Sequence, residues 1–331
     1  MAKSDGLCIY FNPRRFLLFR KYYINLGLDK ETNYNIDDVL SEEMYYPSVC
    51  QILLLKYMHG ETKKDSYLLI LNTHLIFNKH AGHVKLAMLT LILKTILRLT
   101  QIYKIDDILL CGDFNIVPNS MLYKLLSTGK IDLEVDLHEY SNQQLVIANK
   151  QCEDLDYLVQ LSDKKFAKRQ TQSIQQINMK FLSILYYVNV VVPRDNSQEI
   201  KFRGPSTPKL LDKLFLENFY ENLSNIIAFK SAYAEGNRKF IRKNKTSAEL
   251  AKMQFVNDPQ YYNNEAYITQ YAEDMVNTVD YVWYSSRGSL KIKGILQVPD
   301  VNYLKKLRSS CPSDEFGSDH FSLVVDFLIK H

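Results

Sequence analysis

Residues 110–120 read "LCGDFNIVPNS". An apolar run that opens at "DDILLC" ends in Gly112 and Asp113, and Asn115 follows two residues later. Such a pair is often just a turn former, because Asp and Asn side chains bond their own backbone. It can equally be part of a site mounted on a strand end, which is a rigid support. The rest of the chain decides between these, by what else ends in the same way.

Around this stretch, "LCIYF", "SVCQILLLKYM", "SYLLILNTHL" and "DDILLCGDFN" read as strands. "LCIYF" is followed by a turn at Asn12-Pro13. Between the last two strands, "HVKLAMLTLILKTILRLTQIYK" places Leu86, Leu89, Leu93, Ile96 and Leu97 at helical spacing, which predicts an amphipathic helix. "NSMLYKLLSTGK" predicts a second helix, capped by Asn119 or Ser120 and stopped by Gly129. Residues 135–225 are rich in Gln, Asn, Lys and Ser and are expected to form an insertion or long surface excursion. Order returns with "FKSAYAEG", and "TVDYVWYSS" and "HFSLVVDFLI" are strand-like. Interleaved strands and helices give an α/β or α+β class.

Several polar residues share the strand-end position of Asp113 and Asn115. They are Asn72 and His74 in "ILNTHL", Asp280 in "TVDYVWYS", and Asp319 and His320 in "GSDHFSL". Taken singly, His74 reads equally well as a satisfied core histidine, Asp280 as a turn cap and Asp319-His320 as a loop pair. Burying any one of them unpaired would cost a few kcal/mol, roughly 2–7. Several at comparable places suggest one shared polar cleft. Carboxylates, an amide and imidazoles in one cleft suit metal-assisted attack on a phosphodiester, and hard carboxylate oxygens suit Mg2+.

Competing motifs are weaker. "STGKID" resembles the end of a phosphate loop, but Lys124 and Ile131 stand where glycine and Ser/Thr are required. His74, His80 and His83 crowd one stretch without the spacing of a helical zinc pair; the alternative for the last two is a solvated rim. The net charge of +4, from 41 basic and 37 acidic residues, permits a polyanionic partner without demanding one. Five scattered cysteines without a CxxC pair argue against a disulfide framework and for a reducing compartment. That places the chain in the cytoplasm, with the nucleus as the alternative. The apolar stretch "LAMLTLIL" is too short to span a bilayer, and no membrane partner is implied.

The ordered set "LLILNTHLIFNKHAGHVKLAML", "CGDFNIVPNSMLYKLLSTGK", "FKSAY", "NTVDYVWYSS" and "FGSDHFSL" resembles the endonuclease/exonuclease/phosphatase superfamily. Within it the details are similar to the Angel proteins and their poly(A) deadenylase relatives. The resemblance implies an αββα sandwich, two packed mixed β-sheets flanked by helices, as a single domain over residues 5–328 with the variable insertion inside it. It implies Asp113 as general acid/base and Asn115 as the group orienting water or a phosphoryl oxygen. His320 would contact the scissile phosphate, with Asp280 fixing its orientation. Asp319 would lie near the metal, Mg2+ with Mn2+ as the alternative. His74 and Asn78 would touch the substrate backbone, and RNA is the implied partner.

Family members begin with an asparagine-bearing strand and a second strand ending in a Gln-Glu pair, whose glutamate binds Mg2+. "DGLCIYFNPRRF" resembles the segment that comes after that glutamate, so the N-terminal part of the family domain is expected to be absent from these residues. The first expectation is a Mg2+-dependent phosphoester hydrolase acting on RNA, as a 3′–5′ exoribonuclease or an RNA-end phosphatase, although without that glutamate the residues as given favour the impaired alternative. The alternatives are a catalytically impaired relative that binds RNA or a protein, and a lipid or inositol phosphoesterase.

Overall fold

A computed structural model describes residues 6–27, 48–58, 66–77, 82–118, 120–129, 189–193, 198–203, 228–244, 264–266, 268–272, 276–299, 301–304 and 310–329. The elements in chain order are β1 (Phe16–Asn25), β2 (Val49–Tyr57), β3 (Tyr67–His74), α1 (Gly82–Tyr103), β4 (Asp107–Asp113) and α2 (Met121–Thr128). Next come β5 (Asn189–Val191), β6 (Glu199–Arg203), β7 (Phe229–Ser231), α3 (Ala232–Asn244), β8 (Gln270–Tyr271) and β9 (Val276–Asn277). The last are β10 (Asp280–Ser285), β11 (Leu290–Ile295), α4 (Val301–Leu304) and β12 (Val325–Ile329).

Eight strands form one mixed sheet in the order β5-β6-β1-β2-β3-β4-β10-β7. β3 and β4 run parallel, joined by the α1 crossover, while β10 lies antiparallel to β4. Two smaller sheets pair β11 with β12 and β8 with β9. The central strands are nearly continuous in apolar residues because both faces of the sheet are covered. One face packs on α1 and α2 through Ile52, Leu54, Leu69, Leu71, Leu89, Leu93, Ile96 and Leu122. The other meets the β11–β12 sheet, where Leu53, Leu55, Leu68 and Tyr284 pack with Ile292, Val325 and Phe327. The two packed sheets flanked by helices match the architecture expected from sequence.

α1 has 22 residues, longer than its apolar run, and is long and apolar enough to cross a membrane by length and composition. Most of it is buried against the sheet, as in a core helix. Thr90 and Thr95 lie fully buried there, each donating its hydroxyl to the carbonyl four residues back, Leu86 and Leu91. Ser120 caps α2 by accepting from the Tyr123 N–H, and Gly129 ends it at a left-handed φ of 67°.

Three readings of the strands differ from the structure. "LCIYF" is not a strand; it lies against the sheet, with Ile9 and Phe11 packed on the inter-sheet core and the Cys8 carbonyl accepting from Asn72 Nδ2. The first strand comes after the Asn12 turn, as β1, whose half-exposed pattern and Arg20-Lys21 pair mask its period. Within the 135–225 stretch, β5 and β6 extend the edge of the large sheet, β6 pairing parallel to β1. β5 falls at the end of the apolar stretch "FLSILYYVNVVV", whereas β6 is a short strand held by pairing.

Candidate active site

Three adjacent strands meet in one register at their site ends. His74 is the last residue of β3, Asp113 the last of β4 and Asp280 the first of β10. His74 stands opposite Asp113 across the parallel pair, and Asp280 opposite Asp113 across the antiparallel pair. This is why the Asp-Asn pair of "GDFN" stands where a buried strand stops. Gly112 is required just before it. Its φ of 134° is one that L side chains rarely adopt, and a Cβ there would lie 1.9 Å from the Thr73 carbonyl oxygen.

The turn after β4 is also part of the site. The Asn115 N–H donates to Asp113 Oδ1 at 2.8 Å, and Asn115 sits at a left-handed φ of 51°. Its Nδ2 donates to the Leu75 carbonyl at 3.0 Å and to Asp113 Oδ2 at 3.3 Å. The Asn115 amide nitrogen therefore faces inward and holds Asp113. His74 Nε2 approaches Asp113 Oδ2 at 3.4 Å from the exposed rim.

His320 comes from the loop before β12. Its Nδ1 is 2.8 Å from Asp280 Oδ2, which leaves Nε2 facing Asp319 Oδ2 at 3.9 Å. The Asp113, Asp280 and His320 ligand atoms lie within 4.8 Å of one another. Of the residues singled out from sequence, His74, Asp113, Asn115, Asp280, Asp319 and His320 are thus brought together. Asn78 and His80, and the side chain of His83, lie outside the described residues.

Burial, and then the neighbouring Asp280 carboxylate, push the Asp113 carboxyl up to about 7. The hydrogen bond to Asp280 raises the His320 imidazole to about 9, so it is imidazolium at neutral pH. Asp113 is therefore poised to exchange a proton near neutrality beside a fixed positive donor. Two carboxylates crowded together also form an oxygen donor set whose repulsion a divalent cation would relieve, with Asp319 adding a further oxygen nearby. The donor chemistry thus fits such an ion.

Three residues here carry no obvious motif in sequence. Lys85 on α1 is fully buried and donates to the Asn115 carbonyl at 2.6 Å; burial pulls its ammonium down to about 7. Thr269 Oγ1 accepts from the N–H groups of Val279 and Asp280 at 2.9 and 3.1 Å, and its carbonyl accepts from the Phe321 N–H. It ties the His320 loop to the start of β10. Gln270 bridges to His320 through the backbone and donates to Asp319 Oδ2 at 3.5 Å. Lys85 had a signal: it falls on the Leu89, Leu93, Ile96 stripe, where a charge is out of place. Thr269 and Gln270 had none.

Two layered sheets flanked by helices, with a carboxylate–imidazole cluster at the strand ends, agree with the resemblance to the endonuclease/exonuclease/phosphatase superfamily, and the proteins this chain is similar to support it. No family model matches it. Carbon catabolite repressor protein 4 homolog 3 of Arabidopsis thaliana is 25% identical over 284 residues, which cover 86% of this chain and 50% of the relative. Protein angel homolog 2 of Danio rerio is 39% identical over 137 residues, 40% of this chain and 22% of the relative. The chain thus spans half or less of the length of these curated relatives. The crystal structure of ANGEL2, a 2′,3′-cyclic phosphatase, in complex with adenosine-2′,3′-vanadate shares the fold, with a TM-score of 0.54 at 19% identity; the match covers 96% of this chain and 68% of that one.

Proposed function

We propose that this chain carries the site of a divalent-cation-dependent phosphodiester hydrolase acting at RNA 3′ ends. The bond attacked is the last internucleotide linkage or a terminal cyclic phosphate. The observation that carries the reading is the cluster of Asp113, Asp280 and His320, gathered from β4, β10 and a distant loop into mutual reach. The likeness to the CCR4-Not complex 3′-5′-exoribonuclease subunit Ccr4 of Yarrowia lipolytica, 38% identical over 71 residues, and to ANGEL2, a 2′,3′-cyclic phosphatase, supports the choice of RNA over lipid or inositol phosphates.

In this reading Asp113 takes the proton of the attacking water as the new P–O bond forms and the bond to the leaving ribose oxygen breaks. The proton taken up by Asp113 is then passed to the leaving oxygen, which restores the carboxylate. His320, held by Asp280 through Nδ1, presents Nε2–H to a phosphoryl oxygen as charge builds there. Asn115 fixes Asp113, and His74 at the rim meets the substrate backbone. Asp113, Asp280 and Asp319 would hold the cation, Mg2+ with Mn2+ as a substitute, which supplies charge neutralisation at the phosphoryl group.

The test is hydrolysis of a 3′-labelled oligoadenylate and of a cyclic-phosphate-ended RNA by the full chain across a Mg2+ titration. Turnover that saturates with Mg2+, and that His320→Ala lowers about 100- to 1,000-fold, is the expected result. Release of phosphate from inositol phosphates but from neither RNA would overturn the substrate assignment.

A further inference from the structure

Lys85 is the one lysine among the described residues that is wholly buried, and burying an ammonium is unfavourable unless it is used. A methionine would fill the same space on the α1 stripe without that penalty. The ammonium reaches the carbonyl of Asn115 at 2.6 Å. The next carbonyl, that of Ile116, accepts from the Tyr281 hydroxyl of β10 at 2.9 Å. The Phe114 N–H in turn donates to the Val279 carbonyl at 2.9 Å. The left-handed turn after β4 is therefore clamped from two elements, and Lys85 supplies the charged clamp. Its charge also acts on the Asp113 carboxyl.

We propose that Lys85 is a positioning residue: its buried ammonium locks the Asp113–Phe114–Asn115 turn so that the Asp113 carboxyl and the Asn115 amide keep their reactive geometry. This rests on the phosphodiesterase reading for its consequence on rate, but not for the clamp itself. Lys85 thus links α1, which packs in the hydrophobic core, directly to the turn that carries Asp113 and Asn115. A positioning clamp is retained for geometry even where it does not favour stability, as stability–function trade-offs go.

The test replaces Lys85 with methionine in the full chain and reads three quantities. Amide hydrogen exchange in a metal-free buffer should quicken about tenfold or more at residues 113–117 alone. The Tm should stay level or rise, because a desolvated charge has been removed. kcat on the RNA substrate should fall about 100-fold with KM unchanged, as for a small misplacement of reacting groups. Lys85→Gln, which keeps a neutral donor, should recover part of the exchange protection and of kcat. Unchanged exchange at 113–117 in the methionine variant overturns the proposal. So does a fall in Tm with exchange rising throughout the chain, or failure of both variants to fold, since either makes Lys85 a core residue only. If the unsubstituted chain shows no turnover, the exchange arm still decides the clamp, and the failure belongs to the functional reading.

Discussion

His320 and Asp280 are the pair whose protonation is most directly tied to geometry. The imidazole rises from 6.5 to about 9 on folding, chiefly through its 2.8 Å bond to Asp280. A group with a raised folded value adds stability that is fully present below the unfolded value and is lost as pH rises through the folded one. The pair should therefore support folding up to about pH 6.5 and lose that support through about pH 9. Thermal melts of the chain and of His320→Gln across this window, with a chelator present, isolate the effect as a difference. A gap that narrows with rising pH is expected; a constant gap means that the pair does not titrate in this way. At the same scale, the "GDFN" signal was legible for two reasons at once. Asp113 and Asn115 do form the ordinary Asx turn, and that turn is what presents the carboxyl to Asp280 and His74. Lys85 was harder to see, because a lysine in a helix reads as solvated until the partner of its ammonium is known.

Among the elements, α1 and α2 were legible because helical periodicity, the Ser120 cap and the Gly129 stop are all local signals. β2, β3, β4 and β10 were legible as apolar runs closed by polar residues. β1, β6 and β11 were not, since their places are set by pairing partners distant in sequence. The β8 strand illustrates the same limit for the site. Thr269, just before β8, holds two successive backbone N–H groups at the start of β10, so it sets where the Asp280 carboxylate stands. Thr269→Val keeps the shape and removes the acceptor. Both N–H groups are then left without their partner, at about 1–3 kcal/mol each when buried. Urea unfolding should show a loss of at least about 2 kcal/mol, and the His320–Asp280 pair should lose its raised imidazole titration by NMR. A variant as stable as the parent with the titration intact would show that other contacts hold β10 in place.

On the scale of the whole molecule, residues separated by more than two hundred positions reach one cleft because a single sheet orders their strands. β3, β4 and β10 are consecutive neighbours in it, and the sheet is covered on one face by α1 and α2 and on the other by the β11–β12 sheet. That double cover fixes the register, and the register sets His74, Asp113 and Asp280 side by side. We propose that this row, with His320, transfers a proton during phosphodiester hydrolysis. The most direct test is the single-turnover rate of a cyclic-phosphate-ended RNA at saturating Mg2+, measured for the full chain and for Asp113→Asn, a substitution that keeps the size of the side chain and its Asx turn. The expected result is Mg2+-dependent turnover by the parent and a rate about 100- to 10,000-fold lower for the variant. Equal rates for the two proteins would contradict a proton-transfer role for Asp113.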